Sequence, residues 1–246
     1  MKNQKMNSGT LFACAAAITL LSGTHADAQV MVNLGVGFTQ RAADAVGGVT
    51  TFKSRVQTGK NKTNTSLTKS KCDTKVDLRG ITKFNGTPNP IYNLPHKLGL
   101  WRSYDPIVGT TGGGQTQRQW ATSKALDLEM WIPKTDVTSA SGYAEVDGNY
   151  SVIRHTRPAE PTFAHEIGHN YSAVHEHANN MIATSSNNLP RDMTTLLGSL
   201  SRGWTYVAPR YSNPNVKYLG ATTGISGSRE NALKIYNRRI ARSRFR

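Results

Sequence analysis

The stretch His165-Glu166-Ile167-Gly168-His169-Asn170-Tyr171-Ser172-Ala173-Val174-His175 decides how the rest of the chain is interpreted. Its first two histidines are four residues apart, so on a helix they share one face and both imidazoles can reach one metal ion. The carboxylate of Glu166, next to the first histidine, can polarise a water at that metal. The stretch therefore predicts a metal site on a helix, with a carboxylate beside it.

The third histidine strengthens this prediction. His175 follows His169 by six residues, so it can reach the same ion only if the helix ends and the chain turns back. Three neutral imidazoles leave a fourth coordination position open for water, which is the arrangement that a catalytic zinc requires. We therefore expect one Zn²⁺ at His165, His169 and His175, with Glu166 as the general base.

The rest of the sequence predicts an α+β order of elements. Strands are expected at 30–38, 75–84 and 126–132, with a strand pair in 142–154 around a turn at 147–149. Residues 86–95 hold three prolines and are expected to form a loop. Helices are expected at 51–69, at 115–125, from 162 through the histidine motif, at 193–200, and after an N-cap at Ser228.

This order indicates a mixed twisted sheet in an upper lobe and an active-site helix that carries two ligands. An irregular C-terminal lobe follows and ends in a helix. In that last helix, we expect one apolar face made by Ala232, Leu233, Tyr236 and Ile240.

The first 28 residues have the pattern of a signal peptide. Lys2 and Lys5 precede an apolar run at 11–21, and Ala26-Asp27-Ala28 is a suitable cleavage site. We expect residues 1–28 to be removed, residues 29–246 to form one catalytic domain, and the protein to be secreted, either to a periplasm or outside the cell. Lipidation at Cys14 is the alternative, although the apolar run follows this cysteine instead of preceding it.

The composition fits one globular domain of moderate size, or two small lobes, with a basic surface. The chain has 246 residues, 37% of them hydrophobic, and a net charge of +15. Because the expected leader carries two lysines and one aspartate, about +14 remains on the mature chain. A polyanion-binding surface and a merely solvated basic surface both remain open. The cationic residues form two local clusters: Lys53, Lys60, Lys62, Lys69 and Lys71, and then Arg238, Arg239, Arg242, Arg244 and Arg246.

Other polar residues are assigned simpler roles. Cys72 is the only cysteine of the expected mature chain, so it forms no internal disulfide. We expect a small buried residue, with a zinc ligand or a cross-link to a partner as the alternatives. His155 and His177 are expected near the surface or beside the site, not as ligands. A glycosylation sequon at Asn170 falls on the active-site helix, where a glycan does not fit, which favours a bacterial source.

The residues around the motif resemble the metzincins, zinc endopeptidases with the pattern H-E-x-x-H-x-x-G-x-x-H. Tyr150-Ser151-Val152-Ile153 and Thr162-Phe163-Ala164, ahead of the motif, are similar to bacterial reprolysin-like peptidases. The tail, from Tyr211-Ser212-Asn213-Pro214 to Glu230-Asn231-Ala232, is similar to peptidyl-Asp metalloendopeptidases. The resemblance implies a metzincin-like catalytic domain with the zinc ligands and general base named above.

The resemblance also implies how a substrate would bind. An edge strand within 142–154 would pair with an extended peptide, and this β-augmentation suits cleavage of many sequences. Arg210 lies where the wall of the pocket for the residue after the cleaved bond is usually built. Its guanidinium would favour an acidic residue there, whereas a plain surface position is the alternative.

Two positions depart from the family pattern. Ser172 stands where the family has a glycine that turns the chain back to the metal, and a positive φ at serine costs on the order of 1 kcal/mol. The methionine turn beneath the zinc is also hard to place. Alignment of the tail puts Val207 there, with Met193 and Met181 as alternatives. Both departures concern catalysis more than zinc binding.

Two functions follow from these observations. The first is a secreted zinc-dependent endopeptidase of the EC 3.4.24 type, monomeric in its catalytic unit, which cleaves extended segments of extracellular proteins. The second is a catalytically impaired, zinc-stabilised binding or toxin subunit with a polyanion-binding surface. Hydrolysis that depends on the metal and on Glu166 distinguishes them.

Overall fold

A computed structural model describes residues 29–88, 92–136, 140–189, 193–198 and 206–244. The expected signal peptide therefore lies outside the described residues. In the described part of the chain, no helix is both long and apolar enough to cross a membrane.

A five-stranded mixed sheet forms the centre of the upper lobe. Its strands are β1 (Val30–Thr39), β2 (Thr74–Phe84), β3 (Leu128–Ile132), β4 (Gly142–Ala144) and β5 (Tyr150–Ile153). The order across the sheet is β2-β1-β3-β5-β4, with β4 antiparallel to β5 and the other neighbours parallel. The expected strands are confirmed, and β4 is an edge strand.

Helices cover both faces of this sheet. They are α1 (Gln40–Asp44), α2 (Val49–Lys69), α3 (Leu94–Arg102), α4 (Gln117–Ser123), α5 (Pro161–Asn170) and α6 (Asn231–Arg242). One face packs against α2, α5 and α6 in the main core, to which β1 contributes Val32, Leu34, Val36 and Phe38. The opposite face packs against tryptophans of α3 and α4, Trp101 and Trp120.

The long helix α2 forms although its second half is rich in poor helix formers. The hydroxyls of Thr63 and Ser66 donate to the carbonyls of Gly59 and Lys62, each one turn earlier, so these side chains are satisfied within the helix. Gly59 lets α2 approach α5 closely, because a Cβ there would lie 2.0 Å from the Pro158 carbonyl oxygen. Tertiary packing thus outweighs low helix propensity.

The loop expected at 86–95 extends less far than predicted. Helix α3 begins at Leu94, with Pro95 in its first turn. The amides of a first helical turn have no hydrogen-bond partner within the helix, so a proline, which has no amide hydrogen, is tolerated there. The Asn93 side chain caps it by accepting a hydrogen bond from the His96 amide. Asn93 and Pro95 therefore mark a helix start that the sequence pattern did not predict.

The lower lobe is irregular, as expected, and contains two short hairpins. These pair β6 (Asn180–Met181) with β7 (Met193–Thr194), and β8 (Lys217–Tyr218) with β9 (Ala221–Thr222). The predicted helix at 193–200 is wrong over its described residues, 193–198. The amides of Thr194 and Thr195 donate to the distant carbonyls of Tyr206 and Asn179, so these residues do not follow a local helical pattern.

Helix α6 differs from the prediction at its start and in its buried face. It begins at Asn231 with Glu230 in the N-cap position, so the predicted cap at Ser228 is wrong. Leu233 and Ile240 are about half exposed, so the predicted apolar face is wrong as well. The buried face combines Ala232 and Ile235 with Arg239 and Arg242.

The burial of Arg242 has a specific cause. Its guanidinium donates to the Asn149 side chain at 2.9 Å and to the carboxylate and carbonyl oxygens of Asp147 at 2.8 Å each. Arg238 also forms an ion pair with Asp147, at 2.7 Å. The arginines of α6 therefore attach this helix to the turn between β4 and β5.

Candidate metal centre

Helix α5 holds the first two histidines at a fixed position above the core. Pro161 lies in its first turn, and Phe163 and Ile167 pack into the main core. Gly168 lets Tyr211 of the lower lobe approach, because a Cβ there would lie 2.7 Å from the Tyr211 ring. The Tyr211 hydroxyl donates to the Ala164 carbonyl at 2.6 Å, which joins the lower lobe to this helix.

The helix ends where the third histidine requires it to end. Ser172 has a φ of +68°, the left-handed conformation expected at this position. The amide of Ala173 donates to the Gly168 carbonyl at 3.0 Å, which closes the turn. His175 is thereby returned toward the helix, and a left-handed serine costs on the order of 1 kcal/mol.

The three imidazoles converge on one point. The Nε2 atoms of His165 and His169 lie 3.1 Å apart, those of His165 and His175 3.1 Å, and those of His169 and His175 3.0 Å. Bonds of about 2.0–2.1 Å from each Nε2 to a tetrahedral zinc would separate these atoms by roughly 3.3 Å. The observed spacing is close to that value.

The outer nitrogens of two of these rings define their protonation. Nδ1 of His165 donates to the Leu196 carbonyl at 2.7 Å, and Nδ1 of His169 donates to the Ala173 carbonyl at 2.8 Å. Neutral rings with protonated Nδ1 direct the lone pairs of their Nε2 atoms at one another. Such an arrangement suits a cation between them, and carbonyl partners of this kind orient metal-binding histidines.

The electrostatics of the site favour neutral imidazoles. Burial, together with the neighbouring His169 and His175, lowers the pKa of His165 to about 3. Burial also lowers the pKa of His169. A neutral ring is the form that binds a metal, so the donor set fits a zinc ion.

Glu166 lies beside the histidines, under the edge strand. It is 4% exposed, and burial raises the pKa of its carboxyl to about 8. Its carboxylate occupies the space next to Gly142 of β4, where a Cβ would lie 2.3 Å from Oε1. The missing side chain at position 142 therefore makes room for Glu166.

An open cleft runs past the histidines between the two lobes. Two cavities of about 280 Å³ each meet at Gly142, His165, Glu166 and His175. One extends along β4 and is lined by Tyr143, Ala144, Val146, His169, Val174 and Glu176. The other extends toward the lower lobe and is lined by Ala140, Ser141, Pro161, Thr162, Leu196, Gly198 and Val207.

The candidates for the methionine turn separate clearly in space. Val207 lines the second cavity together with His165 and His175. Met181 and Met193 pack against Ala208 in a small cluster of the lower lobe. Of the three candidates, Val207 is the one that lines these cavities, and its assignment to the methionine turn stays a prediction.

Arg210 lies away from the cleft in the described structure. Its guanidinium lies over the Tyr218 ring, 5.2 Å from the centroid, and donates to the Pro209 carbonyl at 2.7 Å. It is not among the described residues that line the two cavities. Its role in specificity stays a prediction.

The other histidines and the cysteine lie outside the cluster of three. Nδ1 of His155 accepts a hydrogen bond from the Thr135 amide at 3.4 Å, and His177 is half-buried near Glu230. Cys72 is fully buried in the main core, where burial raises its pKa. Cys72 is buried as expected, whereas His155, expected near the surface or beside the site, is buried next to Thr135.

Asn231 is a supporting residue that sequence reasoning did not assign. Its side chain accepts from the Val174 amide at 2.9 Å and donates to the Val174 carbonyl at 3.0 Å. This pair holds the backbone immediately before His175. The only sequence signal was the segment Glu230-Asn231-Ala232, which contributes to the family resemblance but indicates no role for Asn231.

Comparison with known proteins supports this description of the site. Residues 108–219, which include the whole histidine motif, match the family model Reprolysin_5, described as Metallo-peptidase family M12. The resemblance to the metzincin metallopeptidases is confirmed. A search of curated proteins found no match.

Solved structures with a similar fold share little sequence with this chain. One, titled "Structure of a chaperone-substrate complex", has a TM-score of 0.69 and 14% identity over 89% of this chain. This chain spans 36% of that one, and because the identity is only 14%, the similarity shows the fold alone. Metalloproteinase-II from Bacteroides fragilis has a TM-score of 0.48 and 14% identity, covering 87% of this chain and 54% of that one, which is too low to support an argument.

Proposed function

We propose that this chain is a zinc-dependent endopeptidase in which Glu166 is the general base. The observation that supports this proposal most is the convergence of three Nε2 atoms within 3.1 Å, beside a buried carboxylate in an open cleft. The M12 match over 108–219 supports metallopeptidase activity independently. His165, His169 and His175 would hold one zinc.

The proposed mechanism divides the chemistry between the metal and the protein. Zinc would supply Lewis acidity, which lowers the pKa of water and polarises the scissile carbonyl. Glu166 would take a proton from the attacking water and return it to the leaving amine. Burial raises the pKa of this carboxyl, so its ionised form is a stronger base toward the attacking water than an exposed carboxylate would be.

The edge strand would position the substrate. β4 lies at the edge of the sheet directly over Glu166, and its neighbouring cavity is open to solvent. An extended peptide would add to β4 through main-chain hydrogen bonds, which carry little sequence preference. The exposed side chain of Tyr143 would contact alternate residues of that peptide.

Peptide hydrolysis by purified mature protein tests this proposal. Zinc-loaded wild type should cleave a quenched peptide, a chelator should abolish cleavage, and added zinc should restore it. Glu166→Gln should lower kcat/KM by about 10²- to 10⁴-fold while zinc stays bound. Glu176→Gln is a matched control, because this exposed carboxylate lines the same cavity and has no proposed role.

The second candidate function is a zinc-stabilised binding or toxin subunit without turnover. The serine at position 172 and the valine at position 207 favour it, since both residue types depart from the metzincin pattern. It predicts bound zinc and a raised melting temperature with zinc, but no cleavage that depends on Glu166. The same experiment therefore separates the two functions.

We also propose that the protein is secreted and that Gln29 begins the mature chain. The sequence pattern of residues 1–28 supports this. N-terminal sequencing of protein recovered from the medium or periplasm tests it. A lipid-modified cysteine, abolished by Cys14→Ser, would contradict it.

Arg210 is proposed to favour an acidic residue after the cleaved bond. The tail alignment supports this role, although the guanidinium now lies over Tyr218, outside the cavity walls. Peptide-library profiling should show a preference for Asp or Glu that Arg210→Gln removes. An unchanged profile would assign Arg210 to the surface.

A further inference from the structure

A concentration of unpaired positive charge lies on α2 and the segment that follows it. Between residues 49 and 76, seven residues are cationic and only Asp73 is acidic. The seven are Lys53, Arg55, Lys60, Lys62, Lys69, Lys71 and Lys75, and we call them the α2 patch. None of them forms an ion pair with a carboxylate of the described residues.

Only some of the cationic residues elsewhere in the fold have a carboxylate partner; Lys83, Lys124 and Lys217, for example, have none among the described residues. Arg79, Arg102, Arg157 and Arg242 each have a carboxylate partner among the described residues. The self-repulsion of seven unpaired charges in 23 residues opposes folding, because nearby like charges raise the energy of the compact state. An anionic partner would remove that repulsion.

The α2 patch has a defined shape. A groove of about 500 Å³ lies between α2 and β2, and Lys60, Lys69 and Lys75 line it together with Thr65 and Thr68. Asp77 also lines it, with its carboxylate paired to Arg79 at 2.8 Å. From Lys53 to Lys69, α2 extends the charge over about 24 Å. Lys60, Lys69 and Lys75 therefore surround a groove that suits a linear polyanion, whereas Lys62 donates to the Ala159 carbonyl at 2.9 Å.

The residues around the patch restrict the class of polyanion. The aromatic residues that flank the patch, Phe52 and Phe84, are fully buried, so they offer no surface for stacking with nucleic-acid bases. Met31 is the one apolar side chain exposed in the groove, too little for insertion into a membrane surface.

An acidic peptide is disfavoured by the way α2 covers the sheet edge. The Asn64 side chain donates to the Val76 carbonyl at 2.9 Å and accepts from the Val76 amide at 2.8 Å. It thereby satisfies the backbone groups that an added strand would use at the centre of the groove. Side-chain charge is what remains for recognition.

We propose that the α2 patch binds a linear sulfated polysaccharide. β2 and β4 are opposite edges of the five-stranded sheet, about 19 Å apart at the usual strand spacing. A polysaccharide held on α2 therefore leaves the histidine cleft open. Binding would retain the protein on an acidic extracellular matrix, whether or not the cleft hydrolyses peptides.

Binding of a heparin-derived oligosaccharide to the zinc-loaded mature chain tests the proposal. The triple variant Lys60→Gln, Lys69→Gln, Lys75→Gln should bind roughly tenfold more weakly at 150 mM salt, since each exposed pair contributes only a fraction of the affinity. The slope of log K against log salt concentration should decrease in magnitude by roughly two to three, about one for each lysine removed. Changing the same lysines to arginine should keep the affinity within about threefold.

A matched control removes the same charge elsewhere. Lys124→Gln, Lys217→Gln, Arg244→Gln changes three exposed cationic residues outside the patch, and affinity should fall less than about twofold. Equal losses in both triple variants would overturn the proposal, because they would show binding by net charge alone. Tighter patch-dependent binding of duplex DNA, of a polyglutamate peptide or of anionic vesicles would overturn the assignment to a polysaccharide. Thermal unfolding of each variant confirms that the fold is intact before binding is compared.

Discussion

Gly142→Ala should impair the proposed general base without touching a metal ligand. The new Cβ would lie 2.3 Å from Oε1 of Glu166 and 2.7 Å from its Cγ and Cδ. Carbon and oxygen atoms that are not bonded normally stay about 3.3 Å or more apart. Either the Glu166 carboxylate or the backbone of β4 must therefore move by about 1 Å.

The magnitude follows from how tightly both partners are held. β4 is paired with β5 along its whole length, and Glu166 is 4% exposed on a buried helix. Displacing a catalytic group by about 1 Å can cost roughly 10²-fold in rate. Overpacking of this kind also costs about 1–3 kcal/mol of stability. We expect kcat/KM to fall about 10²-fold and one zinc to remain bound.

The assay compares quenched-peptide hydrolysis, zinc content and urea unfolding in Gly142→Ala and wild type. Gly99→Ala serves as the control, because a Cβ there meets nothing within 4 Å and its helix gains propensity. This control should keep full activity. If Gly142→Ala keeps kcat/KM within about threefold of wild type, the account of Glu166 beneath β4 is wrong.

Three further predictions concern stability. Ser172→Gly should raise the free energy of unfolding by up to about 1 kcal/mol in urea titrations, because glycine relieves the left-handed strain at a smaller cost in unfolded-chain entropy; Ser172→Ala, which keeps the strain, should change little. Burial raises the pKa of Glu129 from 4.5 to about 7, so the folded state holds this proton where the unfolded chain has lost it. The free energy of unfolding should therefore fall as pH rises from about 4.5 to about 7. Glu129→Gln has no proton to lose, so its free energy of unfolding should fall by up to about 3 kcal/mol less over this range. If the melting temperatures of variant and wild type change with pH in parallel, this prediction is refuted. Arg242→Met should destabilise by about 1–3 kcal/mol in thermal unfolding, whereas Arg238→Met, whose side chain is half exposed, should cost less than about 1 kcal/mol; equal losses would contradict the distinct role of the buried arginine.

The upper lobe could be predicted from the sequence because its pattern is local. β1 is a continuous apolar run, and β2 alternates along its length, so each strand can be recognised within its own ten or eleven residues. The start of α3 was missed because Asn93-Leu94-Pro95 was taken as loop, although asparagine as a cap and proline in the first turn are also helix-start signals.

The lower lobe could not be predicted in the same way. Its backbone hydrogen bonds join residues far apart in sequence: the Asn188 amide donates to the Leu219 carbonyl, and the Ala208 amide to that of Thr194. The buried face of α6 was misassigned for a related reason. Arg242 is a charged residue, so its sequence pattern places it at the surface. Its contacts with Asp147, which lies 95 residues earlier, hold it in a buried position instead.

The candidate site divides along the same line. Histidine spacing predicted the cluster, and a left-handed residue at 172 was expected from the need to bring His175 back. The role of Gly142 could not be predicted, because it depends on how β4 lies over Glu166. The tether from Asn231 to Val174 joins residues 57 positions apart and leaves no local pattern.

The coordination of zinc tests the central claim most directly. X-ray absorption of protein loaded with one equivalent of zinc should show three nitrogen ligands at about 2.0–2.1 Å and one further light atom. His175→Ala should reduce the nitrogen count to two. A sulfur ligand, a closed shell of four protein ligands, or an unchanged spectrum in His175→Ala would contradict an open zinc site built by His165, His169 and His175.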